Sequence, residues 1–310
     1  MIPDSFFEIG TTHEVCEDFA RSGFSPKGEA FAVVNDGCSN GGGPRIDTDH
    51  GARLIGLAAE SNIMTAEPYA FIQETSQTAK AHLLLLPPES LCATLLLIRT
   101  VSKRRVIQGV VSGDGVIGCR KKNGTWIIHV IDFPPGGKMA NRRLSAPYYL
   151  QYHMYGVDNE WAENYGANFT VTTYIGRLMD EVLNYPDGTY FTKNQREELF
   201  LQHMSSDVRE GTWNLDAPFE LFEFGMDDVD LVFITSDGPE QFYFPTSPKV
   251  NEPIHVLDVL RVLLDIRGFN PGFLRVQRNW NFKQNRPGTF KRKNWSGSDD
   301  VSVGAIYCGE

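Results

Sequence analysis

Two hydrophobic rhythms alternate along the chain. Residues 30–35, AFAVVN, form an apolar run of strand length, and a Gly-rich loop follows it. From about Asp49 to Asn62 the period changes: Leu54, Leu57 and Ala58 share a face at i, i+3, i+4 spacing, which predicts a helix. A second helix is predicted from Pro68 to Leu86, with Ile72, Thr75, Ala79, Leu83 and Leu86 as its inner stripe and Pro87 and Pro88 ending it. Three β-rich runs come next: CATLLLIRTV, RVIQGVVSGDGVIGCRK and TWIIHVIDF. The last two are separated by KKNG, a turn signal, and the three together predict an antiparallel meander.

Residues 134–228 lack this rhythm. PPGG, many Tyr and Asn, and a helix predicted near 193–205 (TKNQREELFLQHM) mark the stretch as an insertion or flap region. Order returns with VDLVFITSDG at 229–238 and a helix at 254–266, whose Ile254, Leu257, Leu260, Leu263 and Leu264 face inward. Another helix is expected near 272–282, before a final strand, DDVSVGAIYC. There is no internal repeat and no low-complexity tract; by length 1–310 could be one large domain or two.

Composition narrows the function. With 310 residues, 41% hydrophobic and 12% aromatic, the chain has material for a real core. A net charge of -10 argues against a general nucleic-acid or anionic-membrane binder, because both partners are polyanions. Five cysteines without a CxxC pair fit a reduced, cytoplasmic setting rather than a disulfide framework. The acidic start of the chain carries no signal peptide, and the apolar stretches are far short of the roughly 20 residues of a membrane span.

The chemistry lies where strands leave the core. AVVNDG exits at Asp36, GVVSGDG at Asp114 and LVFITSDG at Asp237, while Asp299 and Asp300 precede the last strand. One DG is usually a plain turn; three exits and an acidic start in one domain are a pattern. If the strands are neighbours, two bare carboxylates about 4 Å apart repel by about 4 kcal/mol at an effective dielectric near 20, and a cation must lie between them. No Lys or Arg adjoins these acids in sequence, and the seven histidines are scattered singly. An all-oxygen set of Asp side chains, the Gly37 carbonyl and water suits Mg²⁺ or Mn²⁺. Two such ions sharing Asp36 and a water would activate that water for in-line hydrolysis of a phosphate ester. On this reading Asp36 bridges the ions, Asp237 and Asp299 hold one, and Glu17 or Asp18 hold the other through water.

Rival phosphate chemistries fit less well. Cys38 and Arg45 have six residues between them where a thiolate phosphate loop needs five, Pro44 removes an N–H donor, and Asp36 would raise the thiol pKa. GDGVIG at 113–118 joins two strands, not a strand and a helix, so dinucleotide binding is rejected; there is no P-loop and no GxSxG elbow.

The ordered set CEDF (16–19), AVVNDGCS (32–39), VVSGDG (110–115), FITSDG (233–238) and SDDVSV (298–303) resembles the metal-dependent PP2C-type serine/threonine protein phosphatases, bacterial members included. The resemblance covers about 1–133 and 229–310, and LSAPYYLQYHM looks like a stretch of some bacterial members. It implies an α+β fold in a single domain over 1–310, with 134–228 as its insertion: a four-layer α-β-β-α sandwich of two antiparallel sheets flanked by helices. It also implies a binuclear Mn²⁺ or Mg²⁺ centre and phosphoserine or phosphothreonine proteins as substrates, with a cognate Ser/Thr kinase as counterpart. By position, Asp36, Gly37, Asp237 and Asp299 match the family's metal ligands, Glu17 and Asp18 its N-terminal acidic pair, and Asp114 the acid of a third metal site. His13 stands where many eukaryotic members have an arginine for the phosphate, and Cys38 where they have histidine. His13, Arg45 and Arg53 are the phosphate-binding candidates. A basic, aromatic segment at 275–293 includes Lys291, Arg292 and Lys293, candidates for docking an acidic phosphoprotein. The alternative is a catalytically silent relative that binds phosphopeptides or a partner.

Overall fold

The apolar runs become strands buried on both faces. The computed structural model describes residues 1–10, 13, 15–38, 48–83, 87–142, 146–177, 204–244, 252–264, 289–290 and 295–309. In chain order the strands are β1 (Ile2–Glu8), β2 (Phe19–Phe24), β3 (Ala30–Asn35), β4 (Leu95–Val101), β5 (Val106–Ser112), β6 (Gly115–Lys121), β7 (Trp126–Asp132) and β8 (Asn168–Gly176). Then follow β9 (Met204–Thr212), β10 (Glu220–Gly225), β11 (Val229–Thr235), β12 (Phe242–Phe244), β13 (Glu252–Pro253), β14 (Thr289–Phe290), β15 (Trp295–Gly297) and β16 (Val301–Tyr307). The α-helices are α1 (Thr48–Ser61), α2 (Pro68–His82), α3 (Leu150–Tyr155), α4 (Asp158–Tyr165) and α5 (Val256–Leu263).

One antiparallel sheet has the order β10-β5-β4-β3-β2 and a second the order β1-β16-β11-β6-β7-β8-β9; a small third sheet is β13-β12-β15-β14. Side-chain alternation sorts the large sheets into layers. Phe31, Val33, Leu95 and Leu97 leave one face of the five-stranded sheet and pack with Ile55 and Ala59 of α1 and Phe71 and Ile72 of α2. From the other face Ala32, Val34, Leu96 and Ile98 meet Ile117, Val232, Ile234 and Ile306 of the seven-stranded sheet. The far face of that sheet, with Val116, Leu231, Phe233 and Val303, is covered by Leu257, Leu260 and Leu263 of α5. The layers run helix, sheet, sheet, helix, the α-β-β-α sandwich that the sequence led one to expect. Because both faces of the central strands are covered, they read as continuous apolar runs.

Three expectations need correction. RVIQGVVSGDGVIGCRK is two strands in different sheets: β5 pairs with β4, and β6 with β7 and β11. The chain crosses between the sheets at Gly113 and Asp114, with Gly113 at φ +109° and Gly115 at φ +127°, where residues with a side chain are strained. The meander is thus two hairpins, and the apolar rhythm on both sides of the crossing hides the change of sheet. Next, 134–228 does contain strands. β8 and β9 extend the seven-stranded sheet beyond β7, and β10 forms an edge of the five-stranded one. β9, MSSDVREGT, is exposed at most positions, so it carries no apolar signal. Lastly, α2 ends at His82 rather than at Leu86, residues 84–86 lying outside the described residues.

The helix expected near 193–205 lies mostly outside the described residues, and where they resume, Met204 already begins β9. The helix expected at 272–282 also lies outside them. Among the described residues no helix is long and apolar enough to cross a membrane.

Candidate metal centre

Strand register gathers the acids. In the five-stranded sheet Asn35 at the end of β3 faces Phe19 at the start of β2, and Leu95 at the start of β4 faces Ser112 at the end of β5. In the other sheet Thr235 at the end of β11 faces Val116 of β6 and Val303 of β16. The β5–β6 crossing joins these two edges into one rim. Asp18 stands just before β2, Asp36 just after β3, Asp114 in the crossing, Asp237 two residues after β11, and Asp299 and Asp300 before β16. Antiparallel pairing alone therefore brings acids separated by up to 282 positions (18 to 300) to one rim.

Local hydrogen bonds then aim them. The Asp36 N–H donates to Thr94 Oγ1 at 3.1 Å, and the Asp36 carbonyl accepts the Thr94 N–H at 2.9 Å. Gly37 sits opposite Ala93 in an isolated bridge made by the Asp36 carbonyl and the Cys38 N–H, so the Gly37 carbonyl is not used in it. The Asp36 carboxyl is within hydrogen-bonding reach of both Asp18 and Asp237. Asp18 Oδ2 also accepts from Ser236 Oγ at 2.7 Å. Gln241 Nε2 donates to Asp237 Oδ2 at 3.1 Å and to Asp299 Oδ2. Asp114 Oδ1 has no exposed surface and no hydrogen-bond partner among the described residues.

Such crowding makes ionisation unfavourable. Burial is the largest cause, raising the Asp18 carboxyl to about 8, with the charge of Asp300 adding to it. Asp299 is raised to about 6 by burial and then by Asp237. Asp36 and Asp114 stand well above the ordinary carboxylate range, again through burial first and neighbouring carboxylates second, and Asp237 is raised by burial. His13 provides one positive charge. Its Nδ1 lies 3.0 Å from Asp300 Oδ2 and 4.0 Å from Glu17 Oε2, and its Nε2 lies 3.4 Å from Asp299 Oδ1. The hydrogen bond to Asp300, with the charges of Asp300, Asp299 and Glu17, outweighs burial and raises His13 to about 9.

One imidazolium cannot balance Asp18, Asp36, Asp114, Asp237, Asp299 and Asp300. Divalent cations fit the need: the donors are carboxylate oxygens with a backbone carbonyl at Gly37, a hard set suited to Mg²⁺ or Mn²⁺. The buried, unpartnered Asp114 Oδ1 calls for a positive partner as well.

The remaining candidates are placed as follows. Arg53 is exposed on α1, 4.0 Å from Asp49 of the same helix. Arg45, Lys291, Arg292 and Lys293 lie outside the described residues. The Cys38 thiol is hydrogen-bonded with Tyr149, and burial raises its pKa, the opposite of what a thiolate nucleophile requires. Sequence reasoning gave no role to Asp300, Gln241, Ser236 or Thr94. The Asp299–Asp300 doublet was a visible signal for the first; the other three are ordinary polar residues, marked by nothing in the sequence.

No family model matches the chain, and no curated protein matches it. Among solved structures, a bacterial serine phosphatase is similar at 12% identity over 100% of this chain and 98% of its own, with a TM-score of 0.49. The serine/threonine phosphatase Stp1 from Staphylococcus aureus is similar at 13% identity over 99% and 95%, with a TM-score of 0.47. The Mycobacterium tuberculosis serine/threonine phosphatase PstP/Ppp is similar at 13% identity over 99% and 98%, with a TM-score of 0.44. Likenesses this loose transfer no activity.

Proposed function

We propose that this chain is a metal-dependent phosphatase of the PP2C type, which hydrolyses phosphoserine and phosphothreonine monoesters on proteins. The observation that carries the reading is the meeting of Asp36, Asp237 and Asp299, from three separate strand ends, beside Asp18 and beside Asp114, whose buried Oδ1 has no hydrogen-bond partner among the described residues. Asp36, Gly37, Asp237 and Asp299 would hold two Mn²⁺ or Mg²⁺ ions, with Glu17 and Asp18 on the outer side and Asp114 available to a third. Bound there, such ions lower the pKa of a coordinated water and draw charge from the phosphoryl oxygens.

The chain's own residues prepare that chemistry. Thr94 fixes the backbone on which Asp36 turns out of β3, and Gln241 holds Asp237 and Asp299 in one orientation. A phosphate dianion would be repelled by whichever of these carboxylates are ionised, and bound cations would turn that repulsion into attraction. His13 keeps a fixed positive charge beside Asp299. Its partners are the protein's own carboxylates, which makes it an internal counter-ion first and leaves phosphate contact as its second role. Phosphoproteins of a Ser/Thr kinase pathway in the cytoplasm are the proposed substrates.

The test is hydrolysis of p-nitrophenyl phosphate with added Mn²⁺. Activity should vanish in EDTA and return with Mn²⁺. Asp36→Asn and Asp237→Asn should each lose about a thousandfold, the equivalent of several kcal/mol of transition-state stabilisation. Cys38→Ser should leave the rate within a factor of about two. Activity that survives EDTA, or phosphopeptide binding without turnover, would overturn the assignment.

A further inference from the structure

Asp300 is 2% exposed, and both of its carboxylate oxygens are engaged. Oδ1 accepts the Gly10 N–H at 2.7 Å, and Oδ2 accepts the Glu17 N–H at 2.6 Å. Oδ2 also lies 3.0 Å from His13 Nδ1. These three contacts fall on Gly10, His13 and Glu17, which lie between β1 and Asp18 in the chain. One side chain just before β16 thus accepts from two backbone N–H groups, at Gly10 and Glu17, and lies against His13. Gly10 permits the approach: a Cβ there would stand 2.3 Å from the Asp299 carbonyl carbon. As a result His13, Glu17 and Asp300 each bring a potential ligand atom within 4.8 Å of one another.

These contacts oppose a force. Glu17 and Asp18 stand at a rim already crowded with carboxylates, and like charges would push them outward. Asp18 has a separate anchor in Ser236 at 2.7 Å. The Glu17 backbone has Asp300.

We propose that Asp300 is a positioning residue: it holds Gly10, His13 and Glu17 beside the residues that precede β16 and thereby sets where the Glu17 carboxylate stands in the metal centre. This rests on the reading of Glu17 as an outer member of that centre. Groups in such a shell typically change metal affinity by about 10- to 100-fold when removed.

Calorimetric titration of the metal-free full chain with Mn²⁺ alone tests it, using Glu17→Ala, Asp300→Ala, Asp300→Asn and the pairwise combinations with Glu17→Ala. Asp300→Ala should weaken Mn²⁺ binding about tenfold or more, and so should Glu17→Ala. The double variant should be no weaker than the weaker single, because both changes remove the same group from the centre. Asp300→Asn keeps one acceptor oxygen and should recover part of the loss. Thermal melts show which variants fold, and if the alanine variant does not, the Asn variants complete the cycle. Wild-type affinity in the Asp300 variants, or losses that add in the double variant, would overturn the proposal. Failure of the unaltered chain to bind Mn²⁺ would instead overturn the metal centre itself.

Discussion

Asp36 touches Asp18 and Asp237, and Gln241 ties Asp237 to Asp299, so at the residue scale the protein must manage charge. A carboxyl whose folded pKa is raised keeps a proton where the unfolded chain, with an Asp near 3.9, has already lost it. Stability then falls as pH rises between the two values, up to about 6 for Asp299 and about 8 for Asp18. His13 acts in the same direction: its stabilisation is complete below about 6.5 and is lost as pH rises through about 9. In EDTA the melting temperature should therefore fall steadily from pH 5 to pH 9. Saturating Mn²⁺ should restore most of the loss at the alkaline end, since a bound cation takes over from the protons. A melting temperature that rises across this window without metal would contradict the charge assignment. At this scale the sequence was half legible. A DG after an apolar run announces an acid where a buried strand leaves the core, and Asp36, Asp114 and Asp237 were read that way. Thr94 and Gln241 could not be, because their work depends on which strands become neighbours.

Among elements, the crossing from β5 to β6 connects the two sheets at the site. Gly113 there has φ +109°, and a Cβ would stand 2.7 Å from Thr94 Cγ2, the residue that fixes Asp36. Gly113→Ala should cost about 1–3 kcal/mol through backbone strain, seen as a lower melting temperature in the metal-free chain. Asp114→Asn, which keeps the backbone, should not lower it. Equal melting of Gly113→Ala and the unaltered protein would mean that the crossing is unstrained. The elements with the strongest periodicity were the most legible: β3 occupies the expected 30–35, and α1 lies within a residue of the expected helix. The crossing was not legible, because a strand that changes sheet keeps the same apolar rhythm before and after. β9 was missed for a different reason, since its mostly exposed side chains carry no burial pattern at all.

For the whole molecule, the sandwich explains why these acids meet. Two sheets packed face to face put the strand ends of both at one rim, and the apolar interior of Val34, Leu96, Ile117 and Ile234 holds that geometry rigid. Layer order was legible in the sequence only through the resemblance to a family; the identity of the facing residues was not, since it follows from register. The central claim is that this rim collects divalent cations. Anomalous diffraction from crystals soaked in Mn²⁺ tests it most directly. The account predicts two strong Mn²⁺ peaks in contact with Asp36, with Asp237 and Asp299 as further ligands of one of them. A soaked crystal with no peak at the rim, and Gln241 still joining Asp237 to Asp299, would contradict it.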